Sequence, residues 1–281
     1  MSAWYRDGER VASIPIDDRA FQYGDGLFET VAIRAGQPRL WDLHLERLAK
    51  GCERLCIQLP DLGNLRADLM SALEDRRESS TNCVAKIIVS SGPGQRGYGR
   101  LPPTPGVAVV GVFPARPAAG DAYQGGVATM LCETRLAMSS VTAGLKTLNR
   151  LEQVLGRSEV LANGAFEGLM QDADGRLICG TMSNVFIVSS KSVITPSLSH
   201  CGVEGVMRRF ALATFADNGI RVDVRDISVD EFLASDEVFL TNSQFGALPV
   251  KCCGRSQWQP GPVSRECLSI LADNGIAECA S

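Results

Sequence analysis

Lysine side chains are scarce in this 281-residue chain, and they limit its possible amine chemistry. A lysine amine can form a Schiff base with an aldehyde, or release its proton once buried. An arginine guanidinium does neither near neutral pH. Of the 28 basic residues only five are lysines: Lys50, Lys86, Lys146, Lys191 and Lys251. Any amine chemistry of this protein therefore depends on one of these five side chains.

Lys146 stands among apolar neighbours, in the segment AGLKTLNRLEQ, just ahead of a predicted helix. An amine held among apolar groups has a lowered pKa and is a better nucleophile. Lys86, which alternates with apolar residues in a strand-like run, is its one serious rival. The local pattern alone favours an exposed lysine near a helix start, so it does not select Lys146.

Two further segments have residue types that bind anions. Residues 202–208, GVEGVMR, place a glycine-containing loop directly before an amphipathic helix, where free N–H groups and the helix dipole attract negative charge. His44 and Arg47 stand three residues apart in a predicted helix, and an arginine there can hold an anion through two hydrogen bonds. Taken alone, the first pattern favours a plain loop-to-helix junction and the second a solvated helix face. The loop lacks the glycine spacing of dinucleotide- and nucleoside-triphosphate-binding motifs.

The elements that position these residues follow from hydrophobic periodicity and turn signals. In the first half the patterns predict strands near 13–16 and 27–33, a helix capped by Asp42 and ending near Cys56, a helix over 62–72, and strands over 84–91 and 107–113. In the second half they predict a strand over 127–131, a helix over 148–162 capped by Thr147 and ended by Asn163-Gly164, a hairpin of 166–172 and 176–179 turning at Asp174-Gly175, a hairpin of 185–188 and 193–195, a helix over 206–216, and strands near 221–224 and 237–241. This irregular mixture predicts two α+β domains, an N-terminal domain over 1–115 and a C-terminal domain over 122–281, joined by a linker over 116–121.

Composition excludes several classes of protein. With 45% hydrophobic and 21% charged residues the chain is globular, and its net charge of −4 lacks the basic excess of a nucleic-acid binder. Charged residues near the start and the lack of a long apolar run predict no signal peptide and no membrane partner, and hence a cytoplasmic protein. The ten cysteines include no C-x-x-C pair and there are only two histidines, so we expect reduced thiols and no metal site.

Six segments together resemble a known enzyme group. They occur in the order and at the spacing found in the fold-type IV pyridoxal-phosphate enzymes, which include branched-chain and D-amino-acid aminotransferases and aminodeoxychorismate lyases: DDRAFQYGDGLFET, HLERL, LKTLNRLEQ, GTMSNVF, GVEGVMRR and EVFLTNSQFGALPV. KTLNRLEQ together with GPGQRGYGR is most similar to the lyases. The resemblance implies an α+β fold with a smaller N-terminal α/β domain, a larger barrel-like C-terminal domain that binds pyridoxal phosphate, and a homodimer.

The resemblance also implies roles for individual residues. Lys146 is the catalytic residue, which forms a Schiff base with pyridoxal phosphate and carries protons. The remaining cofactor contacts are implied for Arg47, Cys179, Asn184, the backbone of Val206 and Met207, and the hydroxyl of Ser243. Contacts with a small-molecule substrate are implied for Thr30, Arg96, Tyr98 and Asn242. The implied reaction converts 4-amino-4-deoxychorismate to p-aminobenzoate and pyruvate, a step toward folate.

Cys179 departs from the family pattern. The family has a glutamate five residues before the asparagine of the S-N-x-F segment, where it pairs with the protonated pyridine nitrogen of the cofactor; here Cys179 holds that position. A carboxylate keeps the ring protonated and electron-withdrawing, whereas a thiol does so weakly. Asp172 and Asp174 are possible substitutes, but both fall at a predicted hairpin turn. We therefore expect a lyase that is slower than its relatives.

Three alternatives to the lyase remain open from the sequence. One is an aminotransferase for D-amino or branched-chain acids. A cofactor ring that withdraws electrons weakly, as expected beside Cys179, would impair that reaction most. A second is a homologue that binds pyridoxal phosphate with impaired or lost catalysis. The third is a non-catalytic scaffold or binding protein. A yellow protein that borohydride bleaches at Lys146 would argue against the third.

Overall fold

The computed structural model describes residues 3–76, 82–100, 103–115, 118 and 120–280. The chain forms two units. The first contains Met1–Arg116 and Leu145–Asn149, and the second contains Pro117–Gly144 and Arg150–Ser281. Within the described ranges, no helix combines the length and the apolar character needed to cross a membrane.

An antiparallel sheet forms the centre of the first unit. Its strands and helices are β1 (Trp4–Arg6), β2 (Glu9–Val11), α1 (Arg19–Tyr23), β3 (Gly26–Arg34), β4 (Gln37–Pro38), α2 (Trp41–Arg54), β5 (Ile57–Gln58), α3 (Leu62–Glu74), β6 (Cys83–Ser90), β7 (Thr104–Pro105) and β8 (Val107–Pro114). The described strands of the sheet follow the order β2-β1-β8-β6-β3-β4, and β5 pairs separately with β7. Alternate residues of β6, from Cys83 to Val89, are buried, as the period of a strand requires. Leu48 of α2 and Leu69 of α3 pack into the same core.

Two details of the first unit differ from the sequence prediction. Residues 13–16 are not a strand; the first hairpin ends with β2, and Pro15, which has no N–H to donate to a sheet, instead accepts a hydrogen bond from the Asp18 N–H at 3.0 Å. Asp42 does not cap α2. The cap is Leu40, with a φ of 51°, so the helix begins at Trp41, two residues earlier than predicted, and Asp42 lies in its first turn.

The second unit is built on a larger mixed sheet. Its elements are α4 (Gly120–Gly125), β9 (Val127–Leu131), α5 (Leu151–Asn163), β10 (Glu167–Gln171), β11 (Arg176–Gly180), β12 (Asn184–Ser189), β13 (Ser192–Pro196), α6 (Val206–Asp217), β14 (Val222–Arg225), β15 (Ile227–Ser228), α7 (Val229–Leu233), β16 (Glu237–Asn242), β17 (Gly246–Cys253), β18 (Ser256–Gln257), α8 (Pro262–Asp273) and a 3₁₀ turn at Ala277–Ala280. The described strands follow the order β14-β13-β12-β16-β17-β9-β10-β11-β15, with β18 paired to β17.

Aromatic packing fixes α6 against this sheet. The Phe186 and Phe239 rings of neighbouring strands stack with centroids 4.8 Å apart. The Phe215 ring of α6 meets both rings edge-on, at 6.3 and 6.4 Å. All three side chains are fully buried, so the start of α6 has a defined position relative to β12 and β16.

Most elements predicted for the second half are confirmed, but the predicted start of α5 is wrong. Thr147 does not cap a helix at Leu148, because the segment Leu145–Asn149 packs in the first unit, where Thr147 forms a β-bridge with Leu27. The helix begins at Leu151 and ends at Asn163, and its C-cap is Gly164, whose φ of 65° suits a glycine. Strand β17 and helix α8 had no prediction.

The structure describes part of the predicted linker and all of the cysteines. Helix α4 begins at Gly120, inside the predicted linker, of which residues 116, 117 and 119 lie outside the described residues. The domain bounds stay a prediction. All ten cysteines are free, and all are buried except the exposed Cys56 and the half-buried Cys252.

Candidate active site

Lys146 is held at an open edge of strand β3. The Phe28 N–H donates to the Lys146 carbonyl, and the Leu148 N–H donates to the Gly26 carbonyl, both at 3.0 Å. This edge is open because β4 pairs only with the other end of β3. The two hydrogen bonds fix the backbone at Lys146 and at the two residues that follow it, so its side chain projects from a defined place.

The amine of Lys146 lies on an aromatic ring. Its Nζ is 4.3 Å from the centroid of the Phe28 ring, and Nζ of Lys86 is 5.2 Å from the same centroid. Thr30 follows Phe28 by two residues, on the same face of β3, and stands opposite Lys86 in the sheet register. The two lysines that the sequence left as rivals therefore both lie beside Phe28, with a hydroxyl close by.

Glu29 points to the other face of β3, toward α2, and joins two of its side chains. Its Oε2 is 2.6 Å from Nδ1 of His44, and its Oε1 accepts from Nε of Arg47 at 2.8 Å. Burial by itself raises the pKa of Glu29, but the charge of Arg47 and the hydrogen bonds from both partners outweigh it and lower this pKa to about 2. Glu29 is therefore ionised at neutral pH.

His44 is neutral in this cluster. Burial lowers its pKa, the hydrogen bond and charge of Glu29 oppose this, and the positive charges of Arg47 and Lys146 lower it further. Because Nδ1 donates to Glu29, the lone pair lies on Nε2, which is buried and has no hydrogen-bond partner among the described residues. The solvated helix face predicted for His44 and Arg47 is wrong, since His44 is only 1% exposed. The signal for this burial was Glu29 itself, a lone acid within the apolar run of β3.

In the second unit, the backbone N–H donors at the start of α6 are not capped by a side chain. Gly205 occupies the cap position, and no side chain caps the helix. Asn184 Nδ2 donates to the Val203 carbonyl at 3.0 Å, and a Cβ added to Gly205 would lie only 2.0 Å from Asn184 Oδ1. Any side chain at position 205 would therefore force Asn184 to move. The backbone N–H groups of Val206 and Met207 stand at the positive end of the helix dipole.

Polar side chains gather where β12 begins and β16 ends. Asn184 pairs with Thr241 across these antiparallel strands, which brings the predicted residues Asn242 and Ser243 to the same edge. Asn242 Nδ2 donates to the Met182 carbonyl at 2.7 Å. The Thr241 hydroxyl is buried without a hydrogen-bond partner in the described part of the chain. Thr241 is not among the residues predicted from the sequence, where its one signal is a hydroxyl directly before Asn242.

Cys179 carries a neutral thiol. Burial raises its pKa to about 12, the charges of Cys201 and Glu167 add to this increase, and Arg150 opposes it. The side chain lies in β11, beside the Gly202 loop that precedes α6. A thiol in this state offers no negative charge to a neighbouring group at neutral pH.

The carboxylates near Cys179 in the sequence have other partners. Asp172 is fully buried and accepts hydrogen bonds from Nε of Arg176 at 2.8 Å and from the Asp174 N–H at 3.1 Å. The Asp174 side chain is 60% exposed and pairs with the same arginine. Glu167, which no sequence motif marks, is buried and accepts hydrogen bonds from the turn at 181–183. Both buried acids therefore hold turns in place.

Arg96 and Tyr98 lie in the loop after β6, in the first unit. Both side chains are exposed, Tyr98 to 87%. The Tyr98 ring contacts the Tyr23 ring of α1, with centroids 5.4 Å apart. The predicted roles of these residues, and of the other site residues, stay predictions.

The chain is similar to proteins of known activity over most of its length. It matches the model of the family described as Amino-transferase class IV over residues 26–253. It is 37% identical to an aminodeoxychorismate lyase of Vibrio harveyi over 239 residues, 84% of this chain and 86% of that one. A D-alanine aminotransferase of Bacillus licheniformis is 25% identical over 95% of this chain and 94% of its own. The crystal structure of 4-amino-4-deoxychorismate lyase from Pseudomonas aeruginosa has a TM-score of 0.89 and 39% identity, over 97% of this chain and 99% of that chain.

Proposed function

This chain belongs to the class IV amino-transferase family, and on that premise we propose that it is a lyase that converts 4-amino-4-deoxychorismate to p-aminobenzoate and pyruvate. Its cofactor is pyridoxal phosphate. The observation that carries the proposal is the similarity to one lyase in sequence and to a second in both sequence and fold. The chain also places the Lys146 amine beside an apolar ring. Because p-aminobenzoate is the aromatic part of folate, we assign the reaction to folate synthesis.

The residues present fit the chemical groups of pyridoxal phosphate. An aldehyde needs an amine, which Lys146 supplies. A phosphate dianion needs N–H donors and positive charge, and the start of α6 offers such donors, since no side chain caps it and Gly205 lies tight against Asn184. We assign the phosphate to Arg47, the backbone of Val206 and Met207, and the hydroxyl of Ser243, with Asn184 beside the cofactor.

In the reaction Lys146 moves protons. When bound, the cofactor withdraws electrons from the substrate carbon that bears the amino group. Nζ of Lys146 takes the proton from that carbon, and the bond from the neighbouring ring carbon to the enolpyruvyl oxygen breaks. Return of a proton to the departing group gives pyruvate, and the ring becomes aromatic. Aromatisation supplies much of the driving force, so the side chains mainly orient the substrate and transfer protons.

The other assigned residues bind or orient the cofactor and the substrate. Glu29 fixes the guanidinium of Arg47, and so orients the cation that we assign to the phosphate. We assign substrate contacts to Thr30, Arg96, Tyr98 and Asn242; Arg96 suits the carboxylates of the substrate. The neutral thiol of Cys179 gives the pyridine nitrogen no charged partner, which favours the lyase reaction over amino transfer and makes the lyase slow.

The test combines an assay with a covalent map. The purified protein is given 4-amino-4-deoxychorismate, and p-aminobenzoate and pyruvate are measured. Borohydride reduction of the yellow protein, followed by peptide mass mapping, should place the cofactor adduct on Lys146. Lys146→Arg should lose both adduct and product, whereas Lys50→Ala, at an exposed lysine, should retain both. An adduct on Lys86 would contradict the assignment of Lys146, and an adduct without product would contradict the lyase.

An aminotransferase is the second candidate. It is favoured by the similarity to D-alanine aminotransferase over nearly the whole chain. The two activities differ in their need for a second substrate, since amino transfer requires a 2-oxo acid and the lyase does not. Amino transfer from D-alanine or a branched-chain amino acid to 2-oxoglutarate, faster than formation of p-aminobenzoate, would support this candidate. A protein with the adduct but neither activity would be the impaired homologue.

We also propose that the protein is a homodimer. Helix α5 exposes a row of large apolar side chains at helical spacing: Leu151 (78%), Val154 (56%), Leu155 (57%) and Leu161 (71%). Several large exposed apolar side chains on one helix are typical of a surface that another protein covers. A second copy of the chain is the partner we assign to it, in agreement with the homodimers of fold-type IV enzymes.

A further inference from the structure

The loop that carries Arg96 and Tyr98 is held by one buried guanidinium. Arg19, the first residue of α1, is 5% exposed. Its Nη1 donates to the Gly97 carbonyl at 2.9 Å, and its Nη2 donates to the Tyr98 carbonyl at 2.8 Å. The two ends of a rigid fork therefore bind two consecutive carbonyls of the loop.

A carboxylate orients this guanidinium and ties both ends of the loop. Asp25 Oδ2 accepts from Nε of Arg19 at 2.8 Å, from the Ser91 hydroxyl at 2.8 Å and from Nε of Arg100 at 3.0 Å. Burial raises the pKa of Asp25, but the hydrogen bonds from Arg19 and Ser91 and the charge of Arg100 outweigh it, so the net shift is downward. Ser91 and Arg100 lie on either side of the segment 92–99, so one ionised group connects both of its ends to α1.

Backbone geometry makes the loop conformation specific. The Arg19 N–H donates to the Gly92 carbonyl at 3.0 Å, and the Gly97 N–H donates to the Tyr23 hydroxyl at 3.3 Å. Gly97 has a φ of 104°, which residues with side chains rarely adopt. A Cβ added to Gly94 would lie 2.9 Å from Cδ of Arg19. The loop thus follows the Arg19 side chain closely, while its own Arg96 and Tyr98 side chains remain exposed.

We propose that Arg19 is a positioning residue for the substrate: it fixes the loop backbone so that Arg96 and Tyr98 are presented in a preformed arrangement. An arginine next to an aromatic ring matches a substrate with carboxylates and an unsaturated ring. A loop that is ordered before binding avoids the entropy cost of ordering it during binding. The inference rests on the proposed function, because it takes those two side chains as substrate contacts.

The test distinguishes the effect of ordering the loop backbone from the effect of the substrate contacts made by its side chains. Arg19→Lys keeps the positive charge near Asp25 but cannot bind both carbonyls. We expect it to raise the KM for 4-amino-4-deoxychorismate by about tenfold, with little change in kcat or in the absorbance of the bound cofactor. Hydrogen exchange in the peptide covering 92–100 should become faster. Arg96→Met, the matched control, should raise KM and leave that exchange unchanged.

Asp25→Asn is the second variant, since it removes the charge that orients Arg19 and nearly keeps the side-chain size. It should raise KM and loop exchange together. An unchanged KM in both Arg19→Lys and Asp25→Asn would overturn the proposal. So would a fall in kcat and cofactor absorbance with KM unchanged, which is the pattern of a merely structural role. If the wild-type protein forms no p-aminobenzoate, the proposed function fails at that first measurement; if it is active and only the variants behave as wild type, the positioning role alone fails.

Discussion

Nδ1 of His44 lies 2.6 Å from Oε2 of Glu29, and both side chains are almost fully buried. The same carboxylate accepts from Arg47, so one acid of β3 holds two side chains of α2. A buried carboxylate is costly unless its charge is compensated, and here Arg47 compensates it while neutral His44 fills a further acceptor position. The orientation of Arg47, which we assign to the phosphate, thus depends on a residue with no predicted role.

Glu29→Gln should lower stability at neutral pH and reduce the acid sensitivity of the protein. The pKa of Glu29 falls from an ordinary 4.5 to about 2 on folding. A lowered pKa stabilises the folded chain fully above the ordinary value, and this stabilisation is lost as the pH falls from 4.5 toward 2. The loss amounts to roughly 3 kcal/mol. At neutral pH the variant leaves Arg47 without its carboxylate, which costs a similar amount, about 3 kcal/mol.

Urea unfolding at about pH 7, pH 5 and pH 3 measures both effects. Wild type should start with the higher urea midpoint and lose more of it than the variant between the two acidic conditions. Asp174→Asn, at an exposed acid, serves as the control and should follow wild type. Equal losses of midpoint in wild type and Glu29→Gln would contradict the assigned pKa.

Cys179→Glu should make the enzyme faster. A carboxylate there can pair with a protonated pyridine nitrogen, which the neutral thiol cannot. We expect p-aminobenzoate to form severalfold faster, and amino transfer to a 2-oxo acid to increase still more. Steady-state assays of both reactions, with equal cofactor loading, measure the change. Cys179→Gln, which has the new size without the charge, should show no gain. A glutamate variant no faster than wild type would exclude this explanation of the cysteine.

Gly205→Ala should weaken both stability and cofactor binding. The added methyl would lie 2.0 Å from Asn184 Oδ1, and moving that side chain breaks its hydrogen bond to Val203. Overpacking of this kind costs about 1–3 kcal/mol. Thermal unfolding and titration with pyridoxal phosphate measure the two losses. Gly125→Ala, where an added Cβ meets nothing within 4 Å, is the control and should behave as wild type. Similar behaviour of the two variants would contradict the close approach of Gly205.

Leu155→Glu should convert a dimer into single chains. The charge would stand within the apolar row of α5, where burial against a second copy is costly. Light scattering during size-exclusion chromatography gives the mass. Met70→Glu, which adds the same charge at an exposed apolar residue of α3, should remain dimeric. A wild-type protein that already has the mass of one chain would refute the dimer.

Local patterns in the sequence determined much of this protein. The alternation in β6, the Asp174-Gly175 turn between β10 and β11, and the glycine loop before α6 specify their structures through neighbouring residues, and the structure confirms them. The six family segments indicated a lyase, and together with the scarcity of lysine they indicated Lys146 as the residue that binds the cofactor.

The tertiary structure alone decided which distant residues meet. Lys146 and Lys86 share the Phe28 ring because the segment of Lys146 pairs with an open strand edge, which also removes Thr147 from the helix start that its own sequence suggested. Glu29 pairs with His44 and Arg47 because strand alternation turns it toward α2. Whether a charged side chain is buried depends on partners far away in the chain. Hydrophobic periodicity and motif spacing describe neighbouring residues only, so they do not specify which distant residues come into contact.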